Sequence, residues 1–121
     1  MKAVFDTNIL IDYLKGIKVA EKEINKFDER YISIITYIEV LVGINDAELL
    51  SETKTFLNLF DIVTVGHKIS EFAIKAHKEY RFKLPDALIF ATAESLDAVF
   101  VTRNTKDFST SIPIIRIPYQ I

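Results

Sequence analysis

The sequence contains no cysteine, which excludes both a disulfide framework and a metal site built from thiolates. A reducing compartment therefore suits the chain, and we expect a cytoplasmic protein. Its three glycines, Gly16, Gly43 and Gly66, are isolated from one another. They form no phosphate-cradling loop of the P-loop or dinucleotide-binding type, so chemistry based on a nucleotide cofactor is not expected.

Long apolar segments are also missing. No stretch approaches the roughly 18 apolar residues that cross a membrane, and Asp6 and Asn8 interrupt the segment where a secretory signal needs unbroken apolar residues. We therefore expect no membrane association. An excess of positive charge is absent too: the formal net charge is −2, so any binding to nucleic acid must use a local basic patch.

The residues that are present are those of an ordinary globular protein, with 50% hydrophobic and 26% charged side chains. A length of 121 residues suits one domain and is too short for two. No repeat, low-complexity stretch or linker divides the chain. We therefore predict a single domain spanning residues 1–121.

Short apolar runs alternate with segments of helical periodicity along the whole chain. Four strands and a possible fifth are predicted at residues 2–5, 31–35, 61–65, 99–102 and 114–117. Helices are predicted over residues 8–16, 19–27, 36–43, 46–59, 69–80 and 84–96. Because these connections are too long for hairpins, they indicate a parallel sheet of four or five strands with helices on both faces.

Ligands of open α/β sheets collect beyond the carboxyl ends of the strands, so polar residues that follow a strand are candidates for function. Asp6 follows the first predicted strand directly. It suits the N-cap of the next helix equally well, as do Thr7 and Asn8. At this position, the sequence supports a structural and a functional interpretation.

Glu39 interrupts an apolar helix formed by Ile38, Val40, Leu41 and Val42, which leaves little room for a solvated face. A buried carboxylate needs a charged partner or a metal ion. The alternative is a partly exposed glutamate at the edge of the helix. The two interpretations have equal weight.

Asp86 lies in the first turn of a predicted helix, where a carboxylate complements the helix dipole. The rest of that helix is nearly apolar all round, and its small alanines permit close approach to the sheet. We therefore expect the helix to be buried and its start to lie deep in the domain.

A polar turn follows the fourth predicted strand, beginning at Thr102. Asn104 and Asp107 have the spacing of a helix cap and its third residue, which favours a capped turn. This interpretation is stronger for Asn104 than for Asp107, whose carboxylate could face the same pocket as Asp6.

Three of the four acidic positions map to strand ends or helix starts on one edge of the sheet. Carboxylates gathered there repel one another unless a cation neutralises them, so the pattern predicts a bound metal ion. Without cysteine and with two histidines, oxygen ligands favour Mg²⁺ or Mn²⁺. Such an ion suits hydrolysis of phosphodiester bonds. Four basic residues flank Asp86 and Asp107 in the sequence, and they could either contact backbone phosphates or simply be solvated. They are Arg81, Lys83, Arg103 and Lys106.

Nearly the whole chain resembles the PIN-domain family and, within it, the VapC-like toxins of toxin–antitoxin pairs. The resemblance rests on Asp6-Thr7-Asn8-Ile9, on Glu39 before Leu41 and Gly43, on Asp86-Ala87-Leu88-Ile89 with Ala91 and Ala93, and on Thr102-Arg103-Asn104 with Asp107-Phe108. Four motifs in order at fitting separations are far more specific than one.

The resemblance implies a PIN-like three-layer α/β/α fold and a Mg²⁺- or Mn²⁺-dependent endoribonuclease, often acting on tRNA or other structured RNA. It further implies a homodimer and a cognate antitoxin that occupies the active-site groove. By motif position, Asp6 and Asp86 would bind the metal, Glu39 would share it or orient the attacking water, and Thr7 would support the turn at Asp6.

One position departs from the family pattern. Many PIN domains carry an acid where this chain has Asn104, which leaves Asp107 as the nearest carboxylate, as in some VapC-like chains. Two alternatives remain open. A non-catalytic binding module for RNA or protein would keep the fold without metal affinity. A phosphotransfer domain would use Asp6 as its nucleophile, although such domains want an acid where Asn8 stands.

Overall fold

The apolar run that precedes Asp6 forms the central strand of a five-stranded parallel sheet in a computed structural model, which describes residues 1–121. The strands are β1 (Lys2–Phe5), β2 (Glu29–Ser33), β3 (Asp61–Val63), β4 (Val99–Val101) and β5 (Ile115–Arg116). Their order across the sheet is β3-β2-β1-β4-β5. The predicted parallel sheet is confirmed, including the fifth strand.

Six helices connect the strands or lie between them. They are α1 (Thr7–Leu14), α2 (Lys18–Asn25), α3 (Ile34–Val42), α4 (Ala47–Leu57), α5 (His67–Tyr80) and α6 (Leu84–Leu96). The third helix begins two residues earlier than predicted because Ser33 caps it, its side chain accepting a hydrogen bond from the Ile35 amide. No helix is long and apolar enough to span a membrane.

The sheet separates two apolar clusters, as the alternation of side chains along a strand requires. Ala3 and Phe5 of β1 pack with residues of α1 to α4 on one face. Val4 packs with residues of α5 and α6 on the other. The result is the expected α/β/α arrangement in three layers.

The start of α6 corrects one expectation. Leu84 is 61% exposed, and Lys83 and Pro85 are also exposed, so the helix begins at the surface rather than deep in the domain. Burial begins at Ala87, from which point the helix packs against α5 and the sheet. Asp86 therefore lies at the boundary between solvent and core.

Parallel pairing brings the carboxyl ends of neighbouring strands to one edge of the sheet. Phe5 of β1 pairs with Val101 of β4, and the Asp6 amide donates to the Val101 carbonyl at 2.8 Å. The residues that follow these two strands, Asp6 and Thr102, therefore leave the sheet side by side. This edge positions the candidate site.

Candidate active site

Asp6 is the N-cap of α1 and only 5% exposed. Its Oδ1 atom accepts a hydrogen bond from the Thr7 amide at 2.8 Å. Its Oδ2 atom accepts from Thr102 Oγ1 at 2.8 Å and from Asn8 Nδ2 at 3.1 Å. The structure thus bears out the capping interpretation, and it supplies a neighbour, Thr102, from far along the chain.

Burial is the main reason that the pKa of Asp6 rises to about 6, and the hydrogen bonds from Thr102 and Thr7 only partly oppose it. The charges of Asp86 and Glu39 raise the pKa further. No lysine or arginine forms an ion pair with this carboxylate. Asp6 is therefore a buried acid without a cation.

Glu39 is exposed, so of the two interpretations left open by the sequence, the structure supports the exposed glutamate at the edge of the helix and not the buried carboxylate. The helix does have a solvated face, because Ile38 is 52% and Val42 is 76% exposed. The Glu39 side chain is nevertheless directed to the site, since Thr7 Oγ1 donates to its Oε1 atom at 2.6 Å. Thr36 Oγ1 lies 3.2 Å from the same Thr7 oxygen.

Asp86 is half-buried in the first turn of α6. Burial raises the pKa of its carboxyl above the ordinary value, the charges of Asp107 and Glu39 raise it further, and Lys83 opposes them. The charge of Glu39 thus raises the pKa of both Asp6 and Asp86.

Asp107 and Asn104 close a small turn after β4. Asn104 Nδ2 donates to Asp107 Oδ2 at 2.9 Å, and the Asp107 amide donates to Asn104 Oδ1 at 3.1 Å. The capped-turn interpretation of this pair is confirmed. The charge of Asp107 also raises the pKa of Asp86, which connects this turn with the site electrostatically.

These acids do not form a closed metal centre in this conformation, since no three acidic or histidine side chains surround one point closely enough to hold an ion. The chemistry of the donor set nevertheless fits a hard divalent cation. Asp6, Asp86 and Glu39 offer carboxylate oxygens. Burial, with a further contribution from mutual repulsion, raises the pKa values of Asp6 and Asp86, and a bound cation would offset both effects.

Part of the Arg103 guanidinium is bound within the protein and is not free to contact a phosphate. Its Nε and Nη2 atoms donate to the two carboxylate oxygens of Asp12 at 2.6 and 2.9 Å, and Tyr119 donates to the same carboxylate at 2.7 Å. Arg81, Lys83 and Lys106 remain exposed.

Sequence reasoning missed Asp12 and Tyr119. Asp12 interrupts an apolar helix just as Glu39 does, so the criterion applied to Glu39 would have singled it out. Tyr119 gave no local signal, because it reaches Asp12 from the far end of the chain.

Comparison with known proteins gives consistent matches over this whole architecture. In a toxin–antitoxin complex from Klebsiella pneumoniae, one chain is 40% identical to this one and superposes with a TM-score of 0.93, covering 99% of this chain and 100% of that chain. The ribonuclease VapC of Rickettsia bellii is 28% identical over an alignment 132 positions long, which covers 98% of each protein.

A third relative shows the same fold. VapBC2 from Rickettsia felis, bound to a DNA fragment from its promoter, superposes with a TM-score of 0.76 at 23% identity, covering 95% of this chain and 96% of that one. The family model described as the PIN domain matches residues 3–110, which include all four acidic positions. This chain therefore belongs to the PIN domain family.

Proposed function

We propose that the protein is a ribonuclease that hydrolyses RNA phosphodiester bonds with a bound divalent cation, and that it is the toxin of a toxin–antitoxin pair. The observation that carries the proposal is Asp6, a buried acid that faces two further carboxylates with no basic side chain to neutralise them. The similarity to the Klebsiella complex and to the Rickettsia ribonuclease supports it.

Asp6 and Asp86 would bind the cation, and Glu39 would share it or orient water. Oxygen donors in a chain without cysteine favour Mg²⁺ or Mn²⁺. When bound, such an ion polarises the phosphoryl group, activates water and steadies the leaving oxygen. Asp107 supports the site through its charge on Asp86, and Asn104 holds Asp107 in place.

The remaining contributions come from the protein itself. The Thr7 amide and the Thr102 hydroxyl fix both oxygens of Asp6, so this carboxylate needs little reorganisation before it acts. Thr7 Oγ1 holds Glu39 Oε1, which leaves Oε2 of this exposed side chain to accept a proton from an attacking water.

The exposed basic residues support a role in RNA binding. Arg81 and Lys83 shortly precede Asp86 in the chain, and Lys106 directly precedes Asp107, so each lies near an acid of the site in sequence. Phosphate contacts of this kind fix the position of a nucleic acid without reading its sequence. They also let an acidic protein approach a polyanion.

A protein partner is part of the proposal. Ile38 and Val42 are exposed apolar side chains of α3, the helix that carries Glu39, and they line one shallow groove together with Leu50 of α4. An antitoxin and a second copy of the chain are the partners that the similarity to toxin–antitoxin complexes supports. Exposed apolar side chains grouped in this way are typical of interaction surfaces.

The test is cleavage of RNA by the purified protein in Mg²⁺ or Mn²⁺. We expect Asp6→Asn and Asp86→Asn to lower the rate by about 100-fold or more, because each removes a negative ligand of the cation. Asp97→Asn is the matched control: Asp97 is exposed, caps α6 in a left-handed conformation that asparagine also adopts, and should retain the wild-type rate. Equal rates in all four proteins would refute the assignment.

A non-catalytic binding module is the second candidate. Two features favour it: the acids do not surround one point closely, and Asn104 stands where many family members have an acid. Calorimetric titration with Mn²⁺ separates the two. The ribonuclease proposal expects binding that is lost in Asp86→Asn, whereas absence of binding to the wild-type protein at millimolar Mn²⁺ would favour the module. The phosphotransfer alternative is weakened by the burial of Asp6, whose carboxylate is enclosed by three donors.

A further inference from the structure

A second buried aspartate lies on the same helix as Asn8. Asp12 is 1% exposed and binds the guanidinium of Arg103 through two hydrogen bonds, of 2.6 and 2.9 Å. The Tyr119 hydroxyl donates to its Oδ2 atom at 2.7 Å. These three residues, here called the Asp12 network, join α1, the loop after β4 and the C-terminal segment.

Stability alone does not account for a buried ion pair of this kind. Desolvation of the two charges offsets their attraction, and apolar side chains of similar size often stabilise such a position as well or better. What a bidentate arginine adds is geometry, because its planar fork accepts a carboxylate in one orientation only. The Asp12 network therefore sets both the orientation of the loop after β4 and its distance from α1.

That loop contributes directly to the candidate site. The Arg103 amide donates to Asn8 Oδ1 at 3.1 Å, and Asn8 Nδ2 donates to Asp6 Oδ2 at 3.1 Å. Thr102, the residue before Arg103, donates to the same Asp6 oxygen at 2.8 Å. Asn8 and Asp12 stand four residues apart on one face of α1, so the helix holds Arg103 by its main chain and its side chain at once.

We propose that Asp12, Arg103 and Tyr119 are positioning residues of the ribonuclease site, which hold the loop after β4 so that Thr102 and Asn8 orient Asp6. This inference rests on the proposed function for its catalytic consequence. The turn that contains Asn104 and Asp107 depends on the same loop, because the Asn104 amide donates to Thr102 Oγ1 at 3.1 Å. One network thus sets both sides of the acidic site.

The chain contains a matched control for this proposal. Arg116 of β5 binds Glu23 of α2 through the same two guanidinium nitrogens, at 2.5 and 3.1 Å, and Glu23 is 2% exposed. The Arg116 side chain makes no hydrogen bond to a residue of the site. The Arg116 main-chain carbonyl accepts a hydrogen bond from the Thr102 amide at 3.1 Å, and lysine keeps that carbonyl. Arg116→Lys therefore reproduces the loss of a bidentate buried pair while it retains the main-chain contact with the loop that orients Asp6.

The experiment compares the steady-state RNA cleavage of Arg103→Lys, Asp12→Asn and Tyr119→Phe with that of Arg116→Lys. We expect Arg103→Lys and Asp12→Asn to lower kcat by about 10-fold with little change in KM, because a misplaced acid slows the chemical step. Tyr119→Phe should have a smaller effect in the same direction. Arg116→Lys should keep kcat within about 2-fold of the wild type.

A direct phosphate contact by Arg103 would give a different result. It would raise KM in Arg103→Lys and spare kcat in Asp12→Asn, since Asp12 is too buried to touch RNA. That pattern, or an equal loss of kcat in Arg103→Lys and Arg116→Lys, would overturn the proposal.

Amide hydrogen exchange provides a readout that is independent of activity. The Arg103 amide donates to Asn8 Oδ1 of α1 and the Asn104 amide donates to Thr102 Oγ1, so a loop released by Arg103→Lys should exchange these two amides about 10-fold faster than in Arg116→Lys. If the wild-type protein cleaves no RNA, the proposed function fails and this measurement still decides the role of the network. Unchanged exchange in Arg103→Lys would contradict it.

Discussion

Asp6 and Asp12 are two buried aspartates on one short segment of chain, and they differ in what surrounds them. Asp6 is 5% exposed and meets three neutral donors and two further acids. Asp12 is 1% exposed and meets the cation of Arg103. Burial raises the pKa of Asp6 to about 6. At Asp12 burial acts in the same direction, but the Arg103 and Tyr119 hydrogen bonds overcome it and the pKa is lowered.

The two aspartates therefore differ in whether the chain itself balances their charge. Asp12 has its cation built into the chain, whereas Asp6 is arranged as if a cation were to come from outside. Raising the pKa of Asp6 from 3.8 to about 6 corresponds to roughly 3 kcal/mol of destabilisation when Asp6 is charged. Unfavourable local energetics of this kind are typical of active sites, which are shaped for activity at the expense of stability.

The largest expected effect is a difference in sign between two isosteric substitutions. Asp12→Asn should lower the free energy of unfolding at pH 7 by about 2 kcal/mol, because it weakens the charged hydrogen bonds to Arg103, whose side chain is 32% exposed and partly solvated. Asp6→Asn should raise the free energy of unfolding by about 2 kcal/mol. It removes a buried charge, which stabilises the protein, but its amide nitrogen meets other donors, which offsets part of the gain. Urea denaturation of both variants measures these values.

Asp97→Asn is again the control, with an expected change within about 0.5 kcal/mol because Asp97 is an exposed surface residue. The comparison fails if Asp6→Asn and Asp12→Asn destabilise the protein equally. In that case Asp6 would be an ordinary structural acid with adequate partners.

A smaller effect concerns the pH dependence of the same difference. The folded protein binds a proton at Asp6 more tightly than the unfolded chain, whose aspartate has the ordinary pKa of 3.8. Asp6 therefore opposes folding fully above pH 6, and this opposition fades as the pH falls toward 4. The stability gain in Asp6→Asn should shrink by about 2 kcal/mol between pH 7 and pH 4.5.

Asp12 should behave in the opposite way. Its lowered pKa makes its contribution to stability present above the ordinary pKa and lost as the pH falls through the folded value. Denaturation curves at pH 7 and pH 4.5 therefore distinguish the two aspartates. A gain in Asp6→Asn that is independent of pH would show that charge is not its cause.

The sequence predicted those parts of the site that depend on local pattern and sheet topology. Asp6 was found because a parallel sheet places residues after its strands at one edge, and the Asn104–Asp107 turn was found because its spacing is local. The sequence left open whether Glu39 is buried or exposed, since an apolar helix sequence does not reveal that Ile38 and Val42 face solvent.

Local sequence patterns do not reveal the Asp12 network. Tyr119 and Arg103 reach Asp12 across 107 and 91 positions of the chain, so no spacing in the sequence connects them. The same holds for Thr102, which meets Asp6 across 96 positions and was placed near it only through the pairing of β1 with β4. Long-range pairing of side chains depends on packing and not on periodicity.

The most direct test of the central claim, that Asp6 lacks a cation which Mg²⁺ supplies, is a ¹³C NMR titration of the aspartate carboxyl carbons. The Asp6 and Asp12 signals can be assigned with Asp6→Asn and Asp12→Asn. Without metal we predict a pKa of about 6 for Asp6. In saturating Mg²⁺ it should fall toward or below the ordinary value of 3.8, while Asp12 remains low in both conditions. An ordinary pKa for Asp6 without metal, or a raised one that Mg²⁺ leaves unchanged, would contradict the account.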